Sequence, residues 1–232
     1  MYMCEFRRRD PLQNVMIEEF LKRGGEILAG FKGAICVRDV KSGVICLSAE
    51  DFGDGKRALE ACGDCDLLLL SQPLMLGYVR EKYSLVCNHP CFQAVYTKKT
   101  PPRMRGCLHI AVPDDDELAI ITATYRFADP EGLKRAQREG KIFAAHAEGK
   151  FCGYIGEHDE GSMGMLEVFE PFRGRGYAAE MESFMINRKL AQGCTPYCHI
   201  IYDNAASYNL QLKLGLQFAA EHIFWTHKRE DA

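Results

Sequence analysis

Arg173-Gly174-Arg175-Gly176-Tyr177-Ala178 is the stretch on which the fold turns. A strand-like run, Met163 to Val168, leads into it, and an amphipathic helix, Tyr177 to Gln192, follows it. Two glycines let the backbone bend and approach a ligand closely, while the N–H groups and dipole of the helix start point at whatever sits above them. A phosphorylated cofactor is the expected occupant. Two other readings share these letters. Gly174 to Ala179 also fits the dinucleotide fingerprint G-x-G-x-x-G/A, with Asp203 as the distal ribose-binding acid, and a tight turn with exposed arginines needs no ligand at all. The dinucleotide reading runs short of chain, because Asn204 to Ala232 suffice for one helix and one strand only.

A β-rich run, Tyr197 to Tyr202, comes after the helix, and then Asn204-Ala205-Ala206-Ser207-Tyr208-Asn209-Leu210-Gln211-Leu212-Lys213-Leu214-Gly215-Leu216. The ordered pair, R-x-x-G-x-A on a strand-loop-helix and then N-x-x-S-x-x-L-x-x-K-L-G-L, resembles the GNAT superfamily of N-acetyltransferases, which use acyl groups carried on coenzyme A. The resemblance covers about Cys107 to His227. The two-domain layout and the run Glu160 to Val168 resemble the branch that includes glycine N-acyltransferases. The resemblance implies an α/β fold, a mixed and mostly antiparallel central sheet flanked by helices, with a degenerate GNAT-like amino-terminal domain. It also implies oxyanion and pantetheine contacts from the backbone near Val168, pyrophosphate contacts from Arg173, Gly174, Arg175, Gly176, Tyr177 and Ala178, and Asn204 and Ser207 beside the coenzyme.

The rest of this half fits the same order of elements. Leu108 to Val112 reads as a strand, and Pro113-Asp114-Asp115-Asp116 supplies a cap with acids at the positive end of the next helix. Asp129-Pro130-Glu131 starts a second helix. Ile142 to Ala147 and Phe151 to Gly156 are apolar strands joined by Glu148-Gly149-Lys150, a hairpin signal. In the helix after the loop, Tyr177, Met181, Phe184 and Met185 share one face and read as core.

Acyl transfer from a thioester to an amine requires a neutral amine, whereas an alkyl amine of pKa near ~10 is mostly charged at neutral pH. A carboxylate is the usual base, a backbone N–H stabilises the oxyanion, and a tyrosine protonates the departing thiolate. The chain departs from the family pattern twice. Gln211 holds the position of the usual tyrosine, and glutamine has no proton to give; Tyr208, one helical turn earlier, is the candidate substitute or is simply packed. Ser162 holds the position of a frequent carboxylate, and a serine can orient water without keeping its proton. Strand alternation sets Ser162, Gly164 and Leu166 on the face opposite Glu167, which favours Glu160 or Glu157, on the hairpin rim, as the base.

The whole chain has 232 residues, 47% of them hydrophobic and 26% charged, with a formal net charge of -3. That balance gives no electrostatic reason to expect nucleic acid or a membrane as partner, and Arg7-Arg8-Arg9 is too short a run to change it. No apolar run approaches the ~20 residues that span a bilayer, and the N-terminus lacks a signal-peptide core, so the expected location is the cytoplasm. An odd count of eleven cysteines then favours reduced thiols, with Cys36, Cys46 and Cys152 as small apolar fillers. Cys62-Gly63-Asp64-Cys65 and Cys87-Asn88-His89-Pro90-Cys91 together hold four sulfurs, but not in a finger-like repeat, and no metal is expected.

Lys98 to Gly106, polar and proline-containing, reads as a boundary between a domain over residues 1–100 and a catalytic domain over residues 107–232. The first carries a helix, Leu12 to Lys22, strands Ala34 to Val40 and Gly43 to Ser48 joined by a Lys41-Ser42-Gly43 turn, a helix near Gly55 to Ala61, and strands Asp66 to Leu70 and Phe92 to Tyr96. The expectation is an acyl-CoA-dependent N-acyltransferase, moving acetyl from acetyl-CoA to the amine of a small molecule or amino acid. The alternative is a non-catalytic acyl-CoA-binding sensor. Oligomeric state is left open, a dimer included.

Overall fold

A computed structural model describes residues 10–87 and 89–228, so Arg7-Arg8-Arg9 and Asn88 lie outside the described residues. In chain order the first elements are α1 (Val15–Lys22), β1 (Glu26–Gly30), β2 (Ala34–Arg38), β3 (Ile45–Ala49), α2 (Phe52–Cys62), β4 (Leu67–Leu70), α3 (Leu76–Tyr83), β5 (Leu85–Val86) and β6 (Pro90–Val95). There follow β7 (His109–Ala111), α4 (Asp115–Thr124), α5 (Pro130–Arg138), β8 (Ile142–Ala147), β9 (Lys150–Glu157), β10 (Met163–Val168) and α6 (Tyr177–Ala191). The last are β11 (Tyr197–Ile201), α7 (Ala205–Leu214), β12 (Gln217–Phe218) and β13 (Ile223–Lys228).

Two units emerge from the pattern of contacts. One holds the residues up to Val95, His199–Tyr208 and the segment from Gln217; the other holds Tyr96–Cys198 and Asn209–Leu216. In the first, β1, β2 and β3 are antiparallel, α2 crosses over, and β4 returns parallel to β3. Strand β4 then pairs β13, and β13 pairs β6, both antiparallel. The parallel strand is a run of four leucines and β3 is buried throughout, as expected of strands covered on both faces. Ala34, Cys36, Ile45, Leu47, Leu59 and Leu68 belong to the core beneath α2.

In the second unit β7, β8, β9 and β10 form an antiparallel series, and β11 returns parallel to β10 after α6. Asp114 and Glu117 close a capping box on α4, and Asp129 caps α5 with Pro130 at its first position. Leu118 and Ile121 of α4 and Leu133 and Ala136 of α5 pack with Ile142 and Tyr154. Helix α6 packs on β9 and β10 and buries Met181, Met185 and Ile186, while Phe184 stays half-buried with its ring 5.0 Å from that of Phe143. Each unit therefore contains the same succession of three antiparallel strands, a crossing helix and a parallel strand.

Candidate functional site

Strand β10 carries an irregularity that sets the geometry of the site. Gly164 pairs with Gly156 and Glu167 with Tyr154, so three steps along β10 match two along β9. The extra residue is absorbed at Met165, which takes a left-handed φ of 54° that a side chain rarely adopts. A bulge reverses the phase of alternation. Glu167 therefore lies on the same face as Gly164 and Ser162, which corrects the opposite-face expectation drawn from strict alternation. The bulge also drives the β10 backbone onto β9 at Gly153, where an added Cβ would run into the carbonyl oxygen of Glu167.

Val168 ends this strand with its amide turned away from β9. The Phe169 N–H is donated to the Cys152 carbonyl at 3.0 Å, and successive amides of a strand point in opposite directions, so the Val168 N–H faces the other edge. On that edge the registered pair with β11 is Met163 with Cys198, which leaves Val168 without a strand partner there. Its carbonyl faces the same way and accepts from Arg173 Nε at 2.8 Å, while Arg173 Nη2 reaches Glu167 Oε1 at 2.8 Å. The Val168 N–H is thus turned to an edge with no registered strand partner, while the carbonyl is held by Arg173.

The following loop opens α6 without a side-chain cap. Gly176 takes φ 82° and ψ 9° at the cap position, and Gly174 has φ 75°. Both values lie where glycine alone carries no penalty. The amides of the first helical turn have no intrahelical acceptor, and no side chain caps them. Arg105 Nη1 donates to the Arg175 carbonyl at 2.8 Å, so three guanidinium groups, those of Arg105, Arg173 and Arg175, gather at the loop. Glu180, the acid of the first turn, is turned away and buried; it accepts from Cys107 N at 2.8 Å, Cys107 Sγ at 2.6 Å and Leu108 N at 3.3 Å. Exposed amides, the positive helix end and three arginines are donors of the kind a phosphorylated ligand could use.

The candidate proton-handling residues separate clearly. Glu157 faces α6 and is held in a buried ion pair with Lys189, 3.2 Å away, in which neither side chain exceeds 11% exposure. Glu160 is 8% exposed rather than on an open rim. Its carboxylate accepts from Ser162 Oγ, and its carbonyl accepts from Tyr197 Oη at 2.9 Å. Tyr125 stands close enough for that charge to be felt: burial, then Glu160, then Tyr154 push its hydroxyl up to about 12. Glu160, Ser162 and Tyr197 form one polar group, and Tyr125 feels its charge.

Tyr208, Asn204 and Ser207 fall in the other unit. The Tyr208 ring is packed with Phe92 at 4.9 Å and Phe218 at 4.4 Å. Asn204 Oδ1 accepts the Ser207 N–H at 3.0 Å and so caps α7. Gln211 is 2% exposed and hydrogen-bonds the buried Glu182, whose carboxyl is raised to about 7 by burial, with Gln211 pulling the other way. Sequence reasoning missed Lys189, Tyr125, Tyr197, Glu182 and Arg105. Glu182 and Lys189, one and four positions past Met181 and Met185, carried a faint signal as charges beside the apolar face of α6; Tyr125 and Arg105 lie in connecting segments with none.

Among the described residues no group of three or more His, Cys, Asp or Glu side chains is arranged to hold a metal ion, and no helix is long and apolar enough to cross a membrane. Residues 142–226 match the family described as FR47-like protein. No curated protein sequence matches the chain. The X-ray structure of a Drosophila protein superposes with a TM-score of 0.71 at 14% identity, covering 100% of this chain and 95% of that one. A GCN5-related N-acetyltransferase from Kribbella flavida gives 0.57 at 11% identity over 95% of each chain. A GNAT-family acetyltransferase from Colwellia psychrerythraea gives 0.53 at 15% identity over 85% of this chain and 81% of that one. The fold is α/β and GNAT-like, with a mixed, mostly antiparallel sheet flanked by helices.

Proposed function

We propose that this chain is an acyl-CoA-dependent N-acyltransferase that moves acetyl from acetyl-CoA to the amine of a small molecule or amino acid, in the branch that includes glycine N-acyltransferases. One observation carries the reading: a bulged β10 with its Val168 amide on an open edge runs directly into an uncapped helix start ringed by Arg105, Arg173 and Arg175. Amide and guanidinium donors fit a pyrophosphate, and an outward strand amide fits a thioester carbonyl. The match to FR47-like proteins and the GNAT-like fold support it.

Each residue has a role in this reading. Arg173 through Ala178 bind the pyrophosphate, and the Val168 N–H donates to the carbonyl oxygen as it gains charge. Acetyl-CoA supplies the thioester and a thiolate leaving group. Glu160, held by Ser162, takes the proton of the amine; Glu157 is unsuited because Lys189 already neutralises it. The Asn204 side chain caps α7, and the resemblance alone supports Asn204 and Ser207 as coenzyme contacts. The first unit reads as a degenerate copy of the same plan. Its crossing helix α2 is capped by Asp51, with Asp54 beside it, where the second unit has glycines and arginines. Two carboxylates there repel the phosphate that Arg173 and Arg175 attract.

A non-catalytic acyl-CoA-binding sensor is the second reading, favoured by Gln211 at the usual acid position and by the packed ring of Tyr208. The test is coenzyme A binding by calorimetry, followed by incubation with acetyl-CoA and a panel of amines. Product mass is the proper readout, because eleven cysteines confuse thiol-release dyes. Binding with transfer supports the enzyme, binding without transfer supports the sensor, and absence of binding sinks both.

A further inference from the structure

We propose that Cys36 and Cys62 are a redox pair that closes into an intramolecular disulfide by exchange with a low-molecular-weight disulfide. Cys36 sits on β2 in the core of the first unit, and Cys62 is the last residue of α2. Their sulfurs lie 2.7 Å apart, so side-chain adjustment alone brings them to the ~2.05 Å of a bond. Nothing in the proposed acyl transfer uses either thiol.

The surroundings decide which sulfur reacts first. Cys36 is fully buried, whereas Cys62 is half-buried. The hydrogen bond between the two sulfurs holds the Cys62 thiol below its ordinary value, burial works against this, and the charge of Arg38 assists. Cys65 is the weaker nucleophile: burial raises its thiol, and Cys62, Asp64 and Asp66 raise it further. Thiolate character and access therefore both select Cys62.

The exchange balances in two steps. The Cys62 thiolate attacks one sulfur of the external disulfide, forming a mixed disulfide and releasing one external thiolate. Cys36 then loses its proton to that thiolate and attacks Cys62 Sγ, expelling the second external thiolate. Two protein thiols are oxidised, and one small disulfide is reduced to two thiols. The product fastens the end of α2 to β2 and closes a segment 26 residues in span.

The test equilibrates the full chain with glutathione buffers of increasing oxidised fraction, blocks free thiols by alkylation, and maps the digest by mass without reduction. The expected result is a linked pair of peptides containing Cys36 and Cys62, growing with the oxidised fraction and vanishing on reduction. Cys62→Ser should lower the yield of any Cys36 linkage at least tenfold. Cys36→Ala should leave a stable glutathione adduct on Cys62, and the wild-type map decides the matter even if that variant folds poorly. A Cys62 to Cys65 link, adducts without an internal link in wild type, or unmodified thiols throughout would each overturn the proposal.

Discussion

Glu182→Gln is expected to stabilise the protein at neutral and alkaline pH and to change little in acid. Glu182 lies on α6 at 2% exposure, and burial raises its carboxyl from the ordinary 4.5 to about 7, with the Gln211 hydrogen bond opposing the rise. Between those two values the folded chain holds a proton that the unfolded chain has released. Folded protein therefore binds more protons, and stability falls as pH rises through the window. The stabilising contribution is complete below about 4.5 and gone above about 7. At ~1.4 kcal/mol per pKa unit, the ionised acid at pH 8 costs on the order of 3 kcal/mol relative to a permanently neutral amide of the same shape. Cys198, buried beside it, is pushed up first by its own burial and then by this charge. Thermal unfolding under reducing conditions from pH 4 to pH 8.5 measures the effect. The two proteins should coincide near pH 4 and diverge above pH 5, with the variant melting roughly 6–12 °C higher at pH 8. Parallel stability curves across that range would refute the reasoning, because they would mean that Glu182 titrates alike in the folded and unfolded chain.

Further outcomes follow from the other sites. Gly174→Ala and Gly176→Ala should each cost about 1–2 kcal/mol for a left-handed side chain, but only the second directs a Cβ into the Arg105 guanidinium, so calorimetry should show coenzyme A weakened at least tenfold more by Gly176→Ala. Glu160→Gln should slow transfer about a hundredfold and Tyr208→Phe only a few-fold in steady-state kinetics; the reverse order would exchange their roles. Lys189→Met should cost about 3–5 kcal/mol in denaturant by stranding buried Glu157, and adding Glu157→Leu should recover most of it. Asn204→Ala should cost about 0.5–2 kcal/mol, while Asn204→Asp keeps the cap, so a loss of coenzyme affinity in the aspartate variant would reveal a binding role.

Those elements with a strong local cause were legible in the sequence. Met163–Val168 and the start of α6 stood where glycine, proline and periodicity put them, and Asp114 and Asp129 announced their helices by cap chemistry. Strand β1 and helix α3 were not read. Glu26–Gly30 is a mostly exposed edge strand without alternation, and Leu76–Tyr83 carries Gly77 near its start and only Val79 buried. Of the candidate site, the bend at Gly174 and Gly176 was legible, since both take the left-handed φ that glycine permits. What escaped was tertiary: the bulge at Met165, which reversed the face of Glu167, and the pairing of Glu157 with a lysine 32 positions later. Neither has a period or a motif, because each exists only once separate segments meet.

Gln211 bears on how the proposed chemistry divides between base and acid. A glutamine buried against Glu182 is a packing and hydrogen-bonding residue, and a phenol in its place would have to share that space with a carboxyl raised to about 7. Losing the acid is the smaller of the two losses. A thiolate with a parent pKa near ~8.5 leaves with little assistance at neutral pH, whereas an amine of pKa near ~10 is neutral in only about one molecule in a thousand near pH 7. Removing that proton is worth about three factors of ten, or ~4 kcal/mol, and protonating the thiolate about half as much. Under the proposed chemistry, a buried, serine-held carboxylate at Glu160 would supply the larger share of proton handling without the usual acid. Transfer should accordingly rise with pH until the amine itself deprotonates, and Glu160→Gln should be rescued most at the alkaline end, where the base is no longer needed.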